Sequence, residues 1–455
     1  MTKVKKNSPK SLGDEPKAPL RDRVIVIGGS IAGLISARVL ADYFQQVIII
    51  ERDELSSTPQ ARRGVPQSVQ PHVLLTKGYR LLEEFFPGIE AKLRDNAALS
   101  IDWGQEFHHY FEKHWGIATP EPSDIVSVTC SRYLLEWIIR QELIKLPKIE
   151  IRQQSKVTGL VYDAASSQVR GVQLNEAEQI NADLVVDASG RSSQANQWLK
   201  EIGQTPAPET IINPFLGYAT RRYRLPGNFE PNWKVLLISQ TPPHDTRLGY
   251  LARIENDELI ATLGGYGKDF PPLDDRGFLE FAHSLAQPDF YQAIANATPT
   301  SPIYAHRATA NRRRNYEQIK LPAGIIALGD AVCALCPVYG QGMTVSALGA
   351  KTLQAWLAKS SATKLDNNRF QQQLAKSNSL HWTLATSQDS RFPGTVGAKQ
   401  GQPSILDKIM TGYMNRLLSK STVEPSLHLK YLEVAHSLRS PLSLYHPQVM
   451  WQVLT

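Results

Sequence analysis

The stretch from Val24 to Glu51 constrains this chain more than any other. Val24 to Ile27 is an apolar run that ends in glycine. Leu34 to Phe44 carries apolar residues at helical spacing (Leu34, Ala37, Val39, Leu40), and Val47 to Ile50 is a second run of four β-branched residues. Two fully apolar strands around one helix form a βαβ unit whose strands lie buried in a parallel sheet. The turn reads Gly28-Gly29-Ser30-Ile31-Ala32-Gly33, the pattern G-x-G-x-x-G with serine at the middle glycine. Alone that pattern is weak. After a strand, before a helix and trailed by Glu51 at the end of the next strand, it marks a dinucleotide turn. Gly28 permits the tight turn, small Ser30 allows close backbone approach, and Gly33 lets the helix pack on the strand. The helix start then offers free N–H groups and a positive dipole end to a pyrophosphate. Glu51, with Arg52 beside it, can meet ribose hydroxyls, and its charge disfavours a 2′-phosphate.

The remaining chain divides by texture. Residues 1–22 are basic and rich in Ser and Pro, with no apolar run behind them, so they read as a flexible leader and not a signal peptide. Helical spacing appears over His72 to Phe86 and over Arg132 to Leu146, the second opened by Ser131. Ile149 to Arg152, Val157 to Tyr162 and Val169 to Leu174 alternate like a β-meander. Gly217 to Tyr223, Val235 to Ser239, Leu248 to Ile254 and Leu259 to Gly264 predict an antiparallel sheet. Helices are expected near Phe278 to Leu285 and Tyr291 to Ala297, a buried strand at Ile325 to Leu328, and a helix over Thr344 to Lys359. The expected fold class is mixed α/β: a Rossmann-like domain with a parallel sheet and meander, interleaved with an antiparallel substrate domain, and a helical C-terminus. The expected boundaries are 23–210 and 311–365 for the first domain, 211–310 for the second and 366–455 for the helical region.

Two more segments carry chemistry. Gly329-Asp330 follows the strand at Ile325 and runs through Ala331 to Gly342 (AVCALCPVYGQG) into the helix at Met343. A short carboxylate at a strand end can bind a ribityl or ribose hydroxyl. A helix start there, with the N–H groups of Gly342 and Met343, would face a carbonyl on which charge develops. Asp183 to Ser193 (DLVVDASGRSS) places Asp187 after a strand and Gly190 in a tight turn, and Arg132 is a candidate phosphate or ribose contact.

Together these segments resemble the flavin-dependent monooxygenases of the aromatic-hydroxylase fold, which share the pattern with geranylgeranyl reductases and flavin halogenases. A closer resemblance is to the polyene epoxidases of polyether biosynthesis. It rests on Arg63-Gly64-Val65-Pro66-Gln67 with His72 and Leu74-Leu75, and on Ser131-Arg132 with Leu134-Leu135. Ala182 to Arg191, Pro337-Val338-Tyr339-Gly340 with Gly342-Met343, and Ala385-Thr386-Ser387 with Pro393-Gly394 complete the set. The resemblance implies FAD as cofactor and NADPH or NADH as reductant. It implies capture of O2 as a flavin hydroperoxide and oxygen transfer to a hydrophobic small molecule by epoxidation or hydroxylation in secondary metabolism. It places Pro337, Gly342 and Met343 against the flavin and assigns no side-chain acid or base. Arg63 and Gly340 join the cofactor-binding set.

Several features bound this reading. Only one dinucleotide turn occurs, which fits transient docking of the nicotinamide or a separate flavin reductase. The halogenase Trp-x-Trp-x-Ile-Pro signature is missing. A reductase of isoprenoid double bonds and a redox-neutral cyclase or isomerase remain the rival readings. Cys130, Cys333 and Cys336 are the only cysteines, too few for a disulfide framework, so a cytoplasmic setting is expected. Cys333 and Cys336 read as small buried residues and no metal set stands out. Lys and Arg exceed Asp and Glu by 50 to 43, but neither the leader nor Arg312-Arg313-Arg314 is interleaved with aromatics, so nucleic acid is excluded. Those three arginines are expected on a solvated surface. Tyr218, Trp233, Tyr250, Tyr266 and Phe270 are expected to be ordinary sheet packing first and, as the alternative, wall residues of an apolar cavity. Leu427 to Leu454 is expected to form a packed helical hairpin; the alternatives are a cap on the pocket, a partner contact or a membrane contact. The oligomeric state stays open.

Overall fold

A computed structural model describes residues 21–175, 177–227, 229–360, 365–398 and 405–455. Most of the leader lies outside the described residues, and its last two positions already belong to the first strand, Arg21–Ile27.

Three apolar runs pair as the sequence demands. Arg21–Ile27 lies between Phe44–Ile50 and Leu184–Asp187, all parallel, with Ile325–Ala327 beyond the latter. Val24, Val26, Val47, Ile49, Val185 and Val186 are fully buried, as expected when helices cover both faces. The first helix, Ile31–Leu40, begins earlier and ends sooner than periodicity suggests, and Phe44 opens the next strand instead. Ile149–Arg152 pairs in parallel with Phe44–Ile50 and so completes the parallel sheet. It does not join the meander, which consists of Val157–Asp163, Gln168–Leu174 and Glu178–Asn181. Alternation shows that a segment is a strand but carries no information about its partner.

Helix boundaries follow their capping chemistry. The second long helix starts at Thr76, not at His72, because Pro71 to Leu75 runs extended. The helix Arg132–Leu143 is capped by Ser131 Oγ, which accepts from the Leu134 N–H at 3.3 Å. The helix Gly342–Ala358 begins two residues before the predicted start.

The second sheet has eight strands. Its centre is the antiparallel set Gly217–Arg224, Glu258–Gly265, Arg247–Ile254 and Val235–Ile238. Phe107–Phe111, from the first half of the chain, adds parallel to Val235–Ile238. Side chains alternate across this sheet. One face carries Ala219, Leu236, Leu251 and Leu263 onto Phe278, Phe281 and Phe290 of the helices Asp275–His283 and Asp289–Ala295. The other face carries Tyr218, Leu237, Tyr250 and Thr262 into a large cavity.

The C-terminal region is helical, with Asn367–Asp389, Ile405–Ser421, Pro425–Ala435 and Pro447–Leu454. The last three pack around Leu417, Leu427, Leu444, Val449 and Val453. Among the described residues no helix is long and apolar enough to cross a membrane. Arg312, Arg313 and Arg314 do not form a solvated patch. Arg314 is 3 % exposed and donates to Glu209 and to the Ala331 carbonyl, while Arg313 pairs with Glu317.

Candidate active site

A single cavity of about 1510 Å³ runs between the parallel sheet, the antiparallel sheet and the C-terminal helices. Two helix starts face it. The helix Ile31–Leu40 has Ser30 at its cap position and Gly342–Ala358 has Gln341, and neither cap side chain bonds the free N–H groups of its helix. Those N–H groups are left to other partners at the cavity. Gly28 sits at φ +103°, a conformation that L side chains rarely adopt, and a Cβ there would stand 2.7 Å from the Ala188 carbonyl. Around Gly342 there is open space.

Of the residues singled out from the sequence, Gly28, Ser30, Ile31, Ala32, Glu51, Arg52, Arg63, Arg132, Gly190, Asp330, Pro337, Gly340, Gly342 and Met343 line this cavity. Gly29 and Gly33 do not. Gly29 donates its N–H to Glu51 Oε2 at 2.8 Å, and Gly33 packs against the Gly28 carbonyl. Asp187 also lies outside the lining. It is fully buried and accepts from the Ser189 N–H at 3.0 Å and from both the Ser189 and Ser193 hydroxyls. Its carboxylate shapes the Ala188–Arg191 turn, and it is Gly190 and Arg191 that reach the cavity.

Near the first turn a charge cluster organises the wall. Arg62, 11 % exposed, contacts Glu51 Oε2 at 3.0 Å, Asp53 Oδ2 at 3.0 Å and Glu136 Oε1 at 2.9 Å. It also donates to the Gly29 carbonyl at 3.1 Å. Ser30 Oγ donates to Glu136 Oε2 at 2.8 Å and accepts from Arg132 Nη2 at 2.9 Å. Arg132 Nη1 pairs with Glu136 Oε2 at 2.9 Å, so the guanidinium holds both Ser30 and Glu136. Burial pushes the Glu136 carboxyl up, but Arg132, Arg62 and the Ser30 hydroxyl outweigh it and leave it below the ordinary value. Sequence reading missed Arg62 and Glu136. Glu136 stands four residues after Arg132 on one helix face, a readable pair; nothing local marks Arg62.

At the second helix start, Asp330 has its carboxyl raised by burial against the pull of Arg191 and Arg132. Arg191 donates to the carbonyls of Ala310 and Leu335. Gln341 is 8 % exposed, and its Oε1 has no partner. His72 Nδ1 lies 3.0 Å from the Gln70 carbonyl, which fixes the proton on that nitrogen. Burial, with Arg132 nearby, lowers its pKa to about 3, so the ring is neutral. Cys333 and Cys336 are buried free thiols; burial pushes Cys333 up to about 12 and Cys336 well above the thiol range.

Beyond this loop the cavity becomes aromatic. Phe107, His109 and Phe111 stack along one strand, with centroids 5.0 and 4.4 Å apart, and Tyr431 continues the stack at 5.8 Å. Tyr218 and Tyr250 join this wall. Trp233, Tyr266 and Phe270 do not: Trp233 and Tyr266 pack in cores, and Phe270 lies under Arg307. The C-terminal helices close the far side with Met414, Leu418, Tyr431, Leu432 and Ala435. Among the described residues no group of His, Cys, Asp or Glu could hold a metal ion.

An elongated cavity faced by two helix starts, with a left-handed glycine beside the first, fits a dinucleotide with a large planar ring. That combination is the arrangement of a dinucleotide-binding fold. Residues 21–371 match the model of the FAD binding domain, and the chain belongs to that family. It is a FAD-dependent oxidoreductase. It is 29% identical to Protein Rv3254 of Mycobacterium tuberculosis, over 92% of this chain and 94% of that one. It is 23% identical to a kynurenine 3-monooxygenase of Salinispora arenicola, over 71% of this chain and 69% of that one. The solved Diels-Alderase PyrE3 of pyrroindomycin biosynthesis shares the fold at 15% identity, with a TM-score of 0.62 over 91% of this chain and 80% of that one.

Proposed function

We propose that this chain is a monooxygenase that places one oxygen atom of O2 on a hydrophobic small molecule. One observation carries the reading: the aromatic chamber and the loop Pro337–Gly342 share one cavity, closed on the far side by helices. Bound FAD supplies the redox chemistry, accepting reducing equivalents from NADPH or NADH and activating O2. The chain's part is to bind, orient and keep dry. In this reading Gly28 to Ser30, Arg132 and the start of Ile31–Leu40 hold the pyrophosphate. Arg52, Arg63 and Glu51 line the adenosine end, although Glu51 is already engaged by Gly29, Asp53 and Arg62. Asp330 and Gly190 meet the polyol chain, and Pro337, Gly340, Gly342 and Met343 face the ring, where the helix dipole stabilises negative charge.

Phe107, Phe111, Tyr250 and Tyr431 supply apolar and aromatic surface for the substrate. The motif set shared with polyene epoxidases supports an alkene-rich substrate and epoxidation. The 23% identity to a kynurenine 3-monooxygenase supports oxygen insertion. A single dinucleotide turn supports a reductant that docks transiently, or a partner reductase.

The test is anaerobic reduction with NADPH and with NADH, followed by oxygen and a panel of polyenes, isoprenoids and phenols. Product carrying one atom of labelled O2 is expected. Stoichiometric product without oxygen would overturn the reading in favour of a reductase or a redox-neutral cyclase.

A further inference from the structure

Behind the loop that precedes Gly342, a carboxylate is buried without a counter-charge. Asp389, at the end of the helix Asn367–Asp389, is 0% exposed. Its Oδ1 accepts from Tyr339 Oη at 2.6 Å and from Tyr266 Oη at 3.2 Å, and its Oδ2 accepts from Asn311 Nδ2 at 2.6 Å. Three neutral donors aim at one carboxyl group and no acceptor for a carboxyl proton stands among its contacts, which favours the ionised form, while burial raises this carboxyl above its ordinary value. No cation stands among these contacts. An unpaired buried anion is costly and clusters at functional sites.

The donors matter because of where they sit. Cys336 and Tyr339 flank the Pro337–Tyr339 turn, and Tyr339 lines the cavity. Asn311 Oδ1 accepts the Cys336 backbone N–H at 2.7 Å, so one amide links the loop to Asp389 at both ends. Tyr266 stacks on Phe392 at 3.9 Å and closes the cluster from the antiparallel sheet. Two of the three donors, Tyr339 and Asn311, thus tie Asp389 to the loop that leads into Gly342–Ala358, and Tyr266 ties it to the core behind that loop.

We propose that Asp389 is a positioning residue for the cofactor site, whose carboxylate clamps the Pro337–Tyr339 turn and whose lone negative charge biases the bound flavin toward its oxidised form. This rests on the reading that the turn faces the flavin ring.

The test compares wild type, Asp389→Asn and Tyr339→Phe. FAD affinity is titrated by fluorescence, and the midpoint potential is measured anaerobically against reference dyes. Asn keeps the size and removes the charge, so the midpoint potential rises by about 30 mV, a roughly tenfold fall in the oxidised-to-reduced ratio at a fixed ambient potential for a two-electron couple. Tyr339→Phe keeps the charge and loses one clamp, so the FAD Kd rises several-fold while the potential stays nearer wild type. An Asp389→Asn protein with wild-type potential overturns the proposal. If that variant does not fold, a wild-type Kd in Tyr339→Phe overturns it instead. Failure of the wild-type protein itself to bind FAD would instead strike the underlying cofactor reading.

Discussion

Replacing Gly33 by alanine pits two known magnitudes against each other. Gly33 is the third residue of the helix Ile31–Leu40, where alanine is intrinsically better than glycine by about 1 kcal/mol. Its backbone φ is not in the left-handed region, so conformational strain does not enter. Space decides. A Cβ there would lie 1.9 Å from the Gly28 carbonyl oxygen and 3.4 Å from Val26 Cγ1. Both neighbours are fixed, the first as backbone of the dinucleotide turn and the second as a fully buried strand residue. Relief requires the helix start to move about 1 Å away from the turn, since real Cβ contacts under 3.0 Å essentially do not occur. Overpacking of this kind costs roughly 1–3 kcal/mol or more, which exceeds the propensity gain. A shift of that size also carries the free N–H groups out of hydrogen-bond range of a pyrophosphate. Gly349, inside Gly342–Ala358, is the matched control: its Cβ would meet only Leu374 Cδ1 at 3.5 Å, an ordinary contact. Gly33→Ala should purify with little flavin and melt lower, with added FAD restoring little. Gly349→Ala should keep its flavin and melt at or above wild type, by up to ~1 kcal/mol. A yellow Gly33→Ala protein with wild-type melting would refute the packing argument.

Arg62→Leu removes the ion-pair partner of Glu51 and Asp53 while Glu136 keeps Arg132, and it should destabilise the fold by about 3–5 kcal/mol in denaturant titration. A loss under ~1 kcal/mol would show that the cluster relaxes through water. Acid titration follows from Glu136, whose folded-state pKa lies below the ordinary 4.5. Its contribution is present above about pH 4.5 and is lost as pH falls through the lower folded value. Glu136→Gln should therefore flatten that part of the stability profile. With burial raising their thiols, Cys333 and Cys336 should resist a disulfide reagent at pH 8 until the chain unfolds; rapid native labelling of either would contradict the buried placement. Phe111→Ala and Tyr431→Ala should raise the substrate KM roughly tenfold and leave flavin content unchanged, consistent with about 1–2 kcal/mol of apolar contact. Loss of flavin in either variant would mean that the stack supports the cofactor instead.

Much of the cofactor end was legible because it is built locally. A buried strand, a left-handed glycine at 28 and a helix start at 31 are neighbours in sequence, and each needs a particular residue type whatever surrounds it. The same holds for the strand at Ile325, the Gly329-Asp330 turn and the helix from Gly342. The Arg62 hub was not legible, since it joins Glu51, Asp53 and Glu136 from three separate segments. Nor was the Asp389 cluster, whose members come from the antiparallel sheet, the loop and a C-terminal helix.

The chain alone therefore determined the type of many of its regular segments, although not Phe107–Phe111, and that a glycine turn between a buried strand and a helix opens the fold, because these follow from side-chain period and backbone sterics within a few residues. Tertiary structure decided the rest. It sent Ile149–Arg152 to the parallel sheet, brought Phe107–Phe111 into the antiparallel one, and laid Tyr431 over the far wall of the cavity. Strand partners, ion clusters and cavity walls are set by which distant surfaces bury each other, and a periodic pattern shows which face is apolar but not what will cover it.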